Sequence, residues 1–274
     1  MRSFLKQYLI PPGILALARH FKSRMSPPVR HGEWHGVYDS FSDVPDVDAD
    51  DVWRSDAWVA HSRANLSKVA TAQADGVPAL MGSSSVAALL NEWSKDGVCR
   101  VLDFAGGTGR VYHELAPGLR FVQNIRWHVV DNPSVTALGE AFRSGHDNLS
   151  FSNDFDETFD DIDVLLISVV LQYVDDYESL LASALKHKPK RVIMHPLYAG
   201  DIPTFVSAEY VMGHRVASWF MNISDLTGFM HDHGYKTTYL SATSKMPGDR
   251  FFDIPESHQL THTATLALER IDGE

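Results

Sequence analysis

The run Val101-Leu102-Asp103-Phe104-Ala105-Gly106-Gly107-Thr108-Gly109 decides the fold. It reads as an apolar strand that ends in a glycine-rich turn and then opens a helix. Glycines there tolerate positive φ and let a ligand approach the backbone, and open α/β sheets bind ligands at the carboxyl ends of their strands. The turn therefore predicts a nucleotide-like cofactor. A dinucleotide fingerprint would place a third glycine three residues after Gly109, where Tyr112 stands instead, so a pyrophosphate packed between helix and strand is disfavoured.

Working outward, the next apolar run, Trp127-His128-Val129-Val130-Asp131, ends on a carboxylate 22 positions after Gly109. A carboxylate at that place can accept both hydroxyls of a ribose. Strand-length runs occur at Val98–Phe104, Arg126–Asp131, Leu149–Ser152, Ile162–Ser168 and Arg191–His195, with helical stretches at Ser134–Arg143 and Tyr177–His187. This alternation predicts a parallel α/β sheet. Ser224 reads as a cap for a helix over Asp225–His233, followed by β-rich runs at Tyr235–Thr243 and Thr261–Arg270. Before the glycine turn, residues 52–69 suggest one helix and Val86–Trp93 a second, which the serines at 83–85 can cap. The chain thus divides into residues 1–94, a basic segment, an acidic loop and a helical extension, and residues 95–274, the α/β domain.

With 274 residues and 44% apolar content the chain can bury a full core. Its net charge is −11, yet residues 1–30 hold six Lys and Arg and no acid, which leaves −17 for the rest. An acidic body argues against nucleic acid as a partner. The basic residues alternate with apolar ones (Phe4, Leu5, Leu9, Ile10, Ile14, Leu15), a pattern that suits weak contact with an anionic membrane. Residues 1–18 imitate a secretion signal, but Pro11-Pro12-Gly13 interrupts the apolar run, and no run is long enough to span a bilayer. Cys99 is the sole cysteine, so no intramolecular disulfide forms; a cytoplasmic protein, peripheral at the inner face of the membrane, is the expectation. The aspartates of residues 39–51 lack the glycine and terminal glutamate of an EF-hand loop, and no short His-x-x-x-His or cysteine pattern marks a metal site.

On the residues just quoted, the chain resembles class I S-adenosylmethionine-dependent methyltransferases, whose first motif is an apolar strand, an acidic residue and a Gly-x-Gly turn. The resemblance implies a Rossmann-like α/β fold, a mostly parallel seven-stranded sheet with an antiparallel C-terminal strand, and S-adenosyl-L-methionine as cofactor. It implies Asp103 and the backbone of Ala105, Gly106, Gly107 and Gly109 beside the methionine moiety, and Asp131 with Asn132 at the ribose. It further implies Asn153, Asp154 and Phe155 around the adenine, and Ser168 near the reacting sulfonium. Residues 34–41 (WHGVYDSF), 127–133 (WHVVDNP) and Leu171-Gln172-Tyr173 with Trp219-Phe220 are similar to a narrower bacterial methyltransferase group whose genes lie among surface-polysaccharide genes. That likeness implies O-methylation of a saccharide or other small-molecule acceptor.

A hydroxyl acceptor benefits from a general base, and base candidates should follow the fourth or fifth strand. His195 ends the fifth strand and His214 lies in the long aromatic connection 199–222, which reads as a cover over the acceptor. Gln172, Tyr173, Tyr198 and Trp219 are expected to face the same cavity. Two rival readings remain at this point: a non-catalytic module that binds the same cofactor, and a nicotinamide-dependent oxidoreductase, disfavoured by Tyr112 and by the lack of a Tyr-x-x-x-Lys signature.

Overall fold

The computed structural model describes residues 32–48, 52–74, 83–143, 145–155 and 161–271. The basic segment 1–30 and the end of the acidic loop lie outside them.

The central strands read as near-continuous apolar runs because helices cover both faces of the sheet. In β2 (Cys99–Phe104), Val101 points to one core and Leu102 to the other, and β5 (Val164–Ile167) is buried throughout. Around them a seven-stranded sheet runs in the order β10-β12-β6-β5-β2-β3-β4. Its other members are β3 (Ile125–Val130), β4 (Leu149–Ser152), β6 (Arg191–Leu197), β10 (Tyr235–Lys245) and β12 (His262–Arg270). Strands β4, β3, β2, β5 and β6 are parallel, while β12 runs antiparallel to both β6 and β10. The fold is the expected Rossmann-like α/β class with an antiparallel C-terminal end.

One face is packed by α2 (Ser84–Trp93) and α3 (Arg110–Leu115), through Val86, Leu90, Val111 and Leu115 against Val101, Trp127 and Val164. The other face takes α5 (Tyr177–Leu185) and α6 (Ile223–Asp232), through Leu181, Leu226 and Met230 against Leu165, Ile167 and Met194. Two further helices, α1 (Asp56–Ala74) and α4 (Pro133–Phe142), pack on each other, and α1 also crosses α3. Caps differ from expectation at two places. Asn222, not Ser224, caps α6, its Oδ1 accepting from the amides of Ser224 and Asp225 at 2.8 and 3.2 Å. Ser83 precedes α2, but its hydroxyl is hydrogen-bonded to His195 and not to the helix amides.

The connection 199–222 is not an irregular cover. It folds as a hairpin of β8 (Phe205–Val211) and β9 (His214–Asn222), turned at Met212 and Gly213 with φ of 53° and 88°. Two successive positive φ values match the right-handed twist of the strands, and glycine supplies the second without strain. The hairpin builds a second sheet, β11-β1-β8-β9-β7, with β1 (Trp34–Tyr38), β7 (Ala199–Gly200) and β11 (Phe251–Phe252). Residues 34–38 thus complete a sheet whose other strands lie beyond residue 198, and the N-terminal part is not helical alone. Trp34, Phe205, Phe220 and Tyr198 pack on one face of this sheet; Val206, Ala208 and Ala217 pack on the other.

Candidate active site

The glycine turn sits at the carboxyl end of β2, and its geometry follows from three side chains. Asp103 is wholly buried; Trp127 Nε1 donates to its Oδ2 at 3.1 Å, and its Oδ1 has no partner among the described residues. Burial, with little compensation, pushes the Asp103 carboxyl up to about 7. A Cβ on Gly106 would lie 2.4 Å from that carboxyl, so the turn can close over Asp103 only with glycine there. Gly107 has φ of 62° and would meet nothing nearer than Asp131 at 4.0 Å, which leaves its face open to a ligand.

Asp131 organises the turn. Its Oδ2 accepts from the Gly107 amide at 2.8 Å, and its Oδ1 accepts from the Asn132 amide at 2.6 Å. The Asn132 side-chain amide also donates to Oδ1 at 3.0 Å, so these bonds orient the carboxylate at the edge of the turn. Asn132 caps α4 and donates its amide to the Trp53 carbonyl at 3.3 Å, tying the turn to the segment before α1. The Asn153 amide donates to the Asp131 carbonyl and to Thr136 at 3.0 and 2.6 Å. Phe155 packs edge-on against Phe104 and His187, on the face of the sheet opposite α3. Asp154 is exposed beside it, and Ser168 follows β5 half-buried. Arg110 opens α3 in an ion pair with buried Glu114, and its charge reaches both Asp103 and His195. Sequence reading passed over it because a lone arginine after the turn carries no pattern.

The two histidines singled out as bases lie in different surroundings. His195 is 3% exposed, with Nε2 on the Ser83 hydroxyl at 3.1 Å and Nδ1 on the Thr265 hydroxyl at 2.7 Å. Burial, helped by Arg110, lowers it to about 4, so the ring is neutral at pH 7 and both nitrogens are engaged. His214 starts β9 at the hairpin tip, with Asp48 at 3.7 Å, roughly 17 Å of strand away from Trp219. Among the described residues no group of three His, Cys, Asp or Glu stands close enough to hold a metal ion.

Of the expected acceptor residues, the structure brings Tyr173 and Tyr198 together and sends Trp219 elsewhere. Trp219 points from the opposite face of β9, donating to the Val174 and Asp175 carbonyls at 3.1 Å and packing on Phe41 and Tyr177. Tyr173 donates to Glu209 Oε2 at 3.1 Å while its ring rests on Trp53 at 4.7 Å. The Tyr198 hydroxyl lies against the same carboxyl, and Trp34 Nε1 and Ser218 Oγ face it without closing a hydrogen bond. Glu209 is 1% exposed, and burial pushes it up to about 7 against the pull of its hydrogen bonds. Only its neighbours in space reveal Glu209; along the chain it is one acid in a strand.

The Glu209 carboxyl ionises near 4.5 when free and near 7 when folded, so between those values the folded chain holds the extra proton. Its contribution is complete at low pH and is lost as pH rises through about 7. The variant Glu209→Gln should therefore gain in melting temperature relative to the parent between about pH 5 and about pH 8. A difference that does not change with pH would show that Glu209 is ionised throughout.

A cavity of about 600 Å³ lined by Tyr112, Val122, Arg126, His146 and Asn148 lies at the amino ends of β3 and β4, the opposite end of those strands from the glycine turn. Open α/β sheets place their ligands at the carboxyl ends, so the residues above remain the candidate site.

No protein-family profile and no curated protein matches the chain. Among solved structures it is similar to a chain from a complex between a methyltransferase activator and a provisionally assigned methyltransferase of Haloferax volcanii. That likeness has a TM-score of 0.53 at 14% identity and covers 80% of this chain and 96% of that one. It is also similar to Burkholderia thailandensis 1,6-didemethyltoxoflavin-N1-methyltransferase, solved with S-adenosylhomocysteine, at TM-score 0.49 and 15% identity over 82% and 95% of the two chains. At such identities the likeness is one of fold alone, the Rossmann-like α/β architecture described above.

Proposed function

We propose that the chain binds S-adenosyl-L-methionine over the glycine turn and transfers its methyl group to a hydroxyl of a small acceptor, a saccharide being the class favoured. The observation that carries this reading is the buried Asp103 Oδ1, which lacks a partner beside a glycine turn whose amide is held by Asp131. An uncompensated buried carboxylate oxygen costs on the order of 1–3 kcal/mol, and a cationic ammonium group is the partner that suits it. The cofactor's amino group meets that need, and Asp131 suits its ribose. Asp103, the backbone at Ala105, Gly106, Gly107 and Gly109, and Asp131 would hold it. Bound there, it supplies an electrophilic methyl group on a sulfonium; the chain's task is to orient the acceptor and keep water away. Trp53, Trp58 and the second sheet suit the exclusion of water, since their aromatic surfaces lie on the side of Tyr173. His195 fits a positioning role in this scheme, holding Ser83 and Thr265 in register.

The test is a screen for transfer of labelled methyl groups from S-adenosylmethionine to monosaccharides, nucleotide sugars and lipid-linked glycans. Labelling of one class supports the reading, and binding of the cofactor with no transfer to any acceptor would favour a non-catalytic module.

The place of action belongs to the same proposal. No helix among the described residues is long and apolar enough to cross a membrane. Residues 1–30 are proposed to add weak contact with anionic lipid, each basic side chain contributing about 1 kcal/mol within a Debye length. Full-length protein should co-sediment with phosphatidylserine vesicles at low salt and lose this on removal of residues 1–30. Equal sedimentation by both forms refutes it.

A further inference from the structure

Between the second sheet and the carboxyl ends of β5 and β6 lies a cluster of buried polar groups that the fold does not need. Gln172 is fully buried, and neither its Nε2 nor its Oε1 has a hydrogen-bond partner among the described residues. The same holds for the hydroxyls of Ser207 and Ser218, which are paired across β8 and β9, and for Trp34 Nε1. Each such group costs about 1–3 kcal/mol when left unmade, and native interiors hold few of them. Five such atoms on four side chains, two of which, Trp34 and Ser218, face the Glu209 carboxyl, are an expensive arrangement for packing alone. Apolar residues of similar size would fill the space better.

The cluster also connects with the glycine turn. Gly107 donates to Asp131, Asp131 holds Asn132, Asn132 reaches the Trp53 carbonyl, and the Trp53 ring lies on Tyr173, whose hydroxyl donates to Glu209. Tyr198, the other phenol on Glu209, is fixed against Trp34 and stacked on Phe220. Tyr173 is half-buried like Tyr198, and of the two phenols it is the one joined through the Trp53 ring to the chain of contacts that leads to the glycine turn.

We infer that this cluster forms the acceptor site, with Tyr173 receiving the proton of the acceptor hydroxyl as it passes its own to Glu209, and with Gln172, Ser207, Ser218 and Trp34 Nε1 binding neighbouring hydroxyls of a polyhydroxylated acceptor. The inference rests on the methyltransferase reading above. In the reaction the acceptor oxygen loses its proton through Tyr173 to Glu209 and forms a bond to the methyl carbon. The electron pair of the broken carbon–sulfur bond stays on sulfur, turning the sulfonium into a thioether. Tyr173 is never a free phenolate here, since burial and the Glu209 charge hold its hydroxyl well above the usual range. The carboxyl accepts the proton near neutrality, and the groups facing it are Tyr173, Tyr198, Trp34 and Ser218, with Arg250 beyond Tyr198. His195 is displaced as base by geometry, because both its nitrogens are taken.

The experiment uses the full chain and the variants E209Q and Y173F, which keep size and shape. Calorimetry with S-adenosylhomocysteine reads the cofactor site alone and should change by less than about threefold, a difference well under 1 kcal/mol. With that product bound, saturation-transfer NMR against glucose, galactose, mannose and rhamnose should show contact with at least one sugar in the parent. Methyl transfer to that sugar should fall about 10²–10⁴-fold in both variants, and the rise of the parent's rate with pH through about 7 should vanish in E209Q. The inference is overturned if the parent binds the cofactor product but contacts no sugar, or if E209Q keeps the parent's rate and pH profile; in both cases the cofactor reading stands. If the parent does not bind S-adenosylhomocysteine, the methyltransferase reading fails and this inference falls with it.

Discussion

Replacing Asp131 with Ala should weaken S-adenosylmethionine binding by about 1–3 kcal/mol, or roughly 5- to 150-fold in Kd. Two losses combine. The ribose hydroxyls would lose a charged acceptor, and the amides of Gly107 and Asn132 would lose the oxygens that fix the turn at 2.8 and 2.6 Å. The variant Asp131→Asn separates them, since its amide oxygen can still hold one backbone amide while the charge is gone; it should fall between the parent and the alanine variant. Calorimetry at fixed salt gives the affinities, and urea unfolding shows that the fold is intact. An alanine variant with the parent's affinity would mean that the ribose is held elsewhere.

The variant Trp127→Ala should lose about 3–5 kcal/mol of stability, the range for deleting a large buried aromatic. Trp127 is 1% exposed, packs edge-on against Tyr112 and sits among Val101, Leu115 and Leu149. Its indole also makes the one hydrogen bond on the Asp103 carboxyl among the described residues. The variant Trp127→Phe keeps most of the packing and removes that bond, so it isolates the polar part and should cost less, about 1–3 kcal/mol. Denaturant midpoints measure both. A Phe variant as damaging as the Ala variant would place the whole effect in the hydrogen bond.

How much of this was legible along the chain depended on whether the signal is local. The alternating runs from Val98 to Arg270 and the glycine turn carry period and punctuation, and the seven-stranded sheet forms where they say, with ends shifted by at most two residues. The hairpin of β8 and β9 was missed because Met212-Gly213 is not among the usual turn pairs, and because aromatic residues on both faces blur the alternation. The strand Trp34–Tyr38 was missed for another reason: its partners, Glu209 and Phe251, lie far away in sequence. The same non-local pairing hides the surroundings of Glu209, because Tyr173, Tyr198 and Trp34 come to it from distant parts of the chain. His195 shows the reverse. Its place at the end of β6 was legible, but the hydroxyls of Ser83 and Thr265, 112 and 70 residues away, decide what its nitrogens do. Trp219 was correctly placed on the added segment, yet alternation along β9 turns it to the face away from Glu209.

Titration calorimetry of the full chain with S-adenosylhomocysteine and, separately, with NAD decides whether the glycine turn and Asp131 form a site for S-adenosylmethionine. Saturable one-to-one heat is expected with S-adenosylhomocysteine, weakened by Asp131→Ala, and no such heat with NAD. Saturable binding of NAD with none of S-adenosylhomocysteine would contradict that assignment.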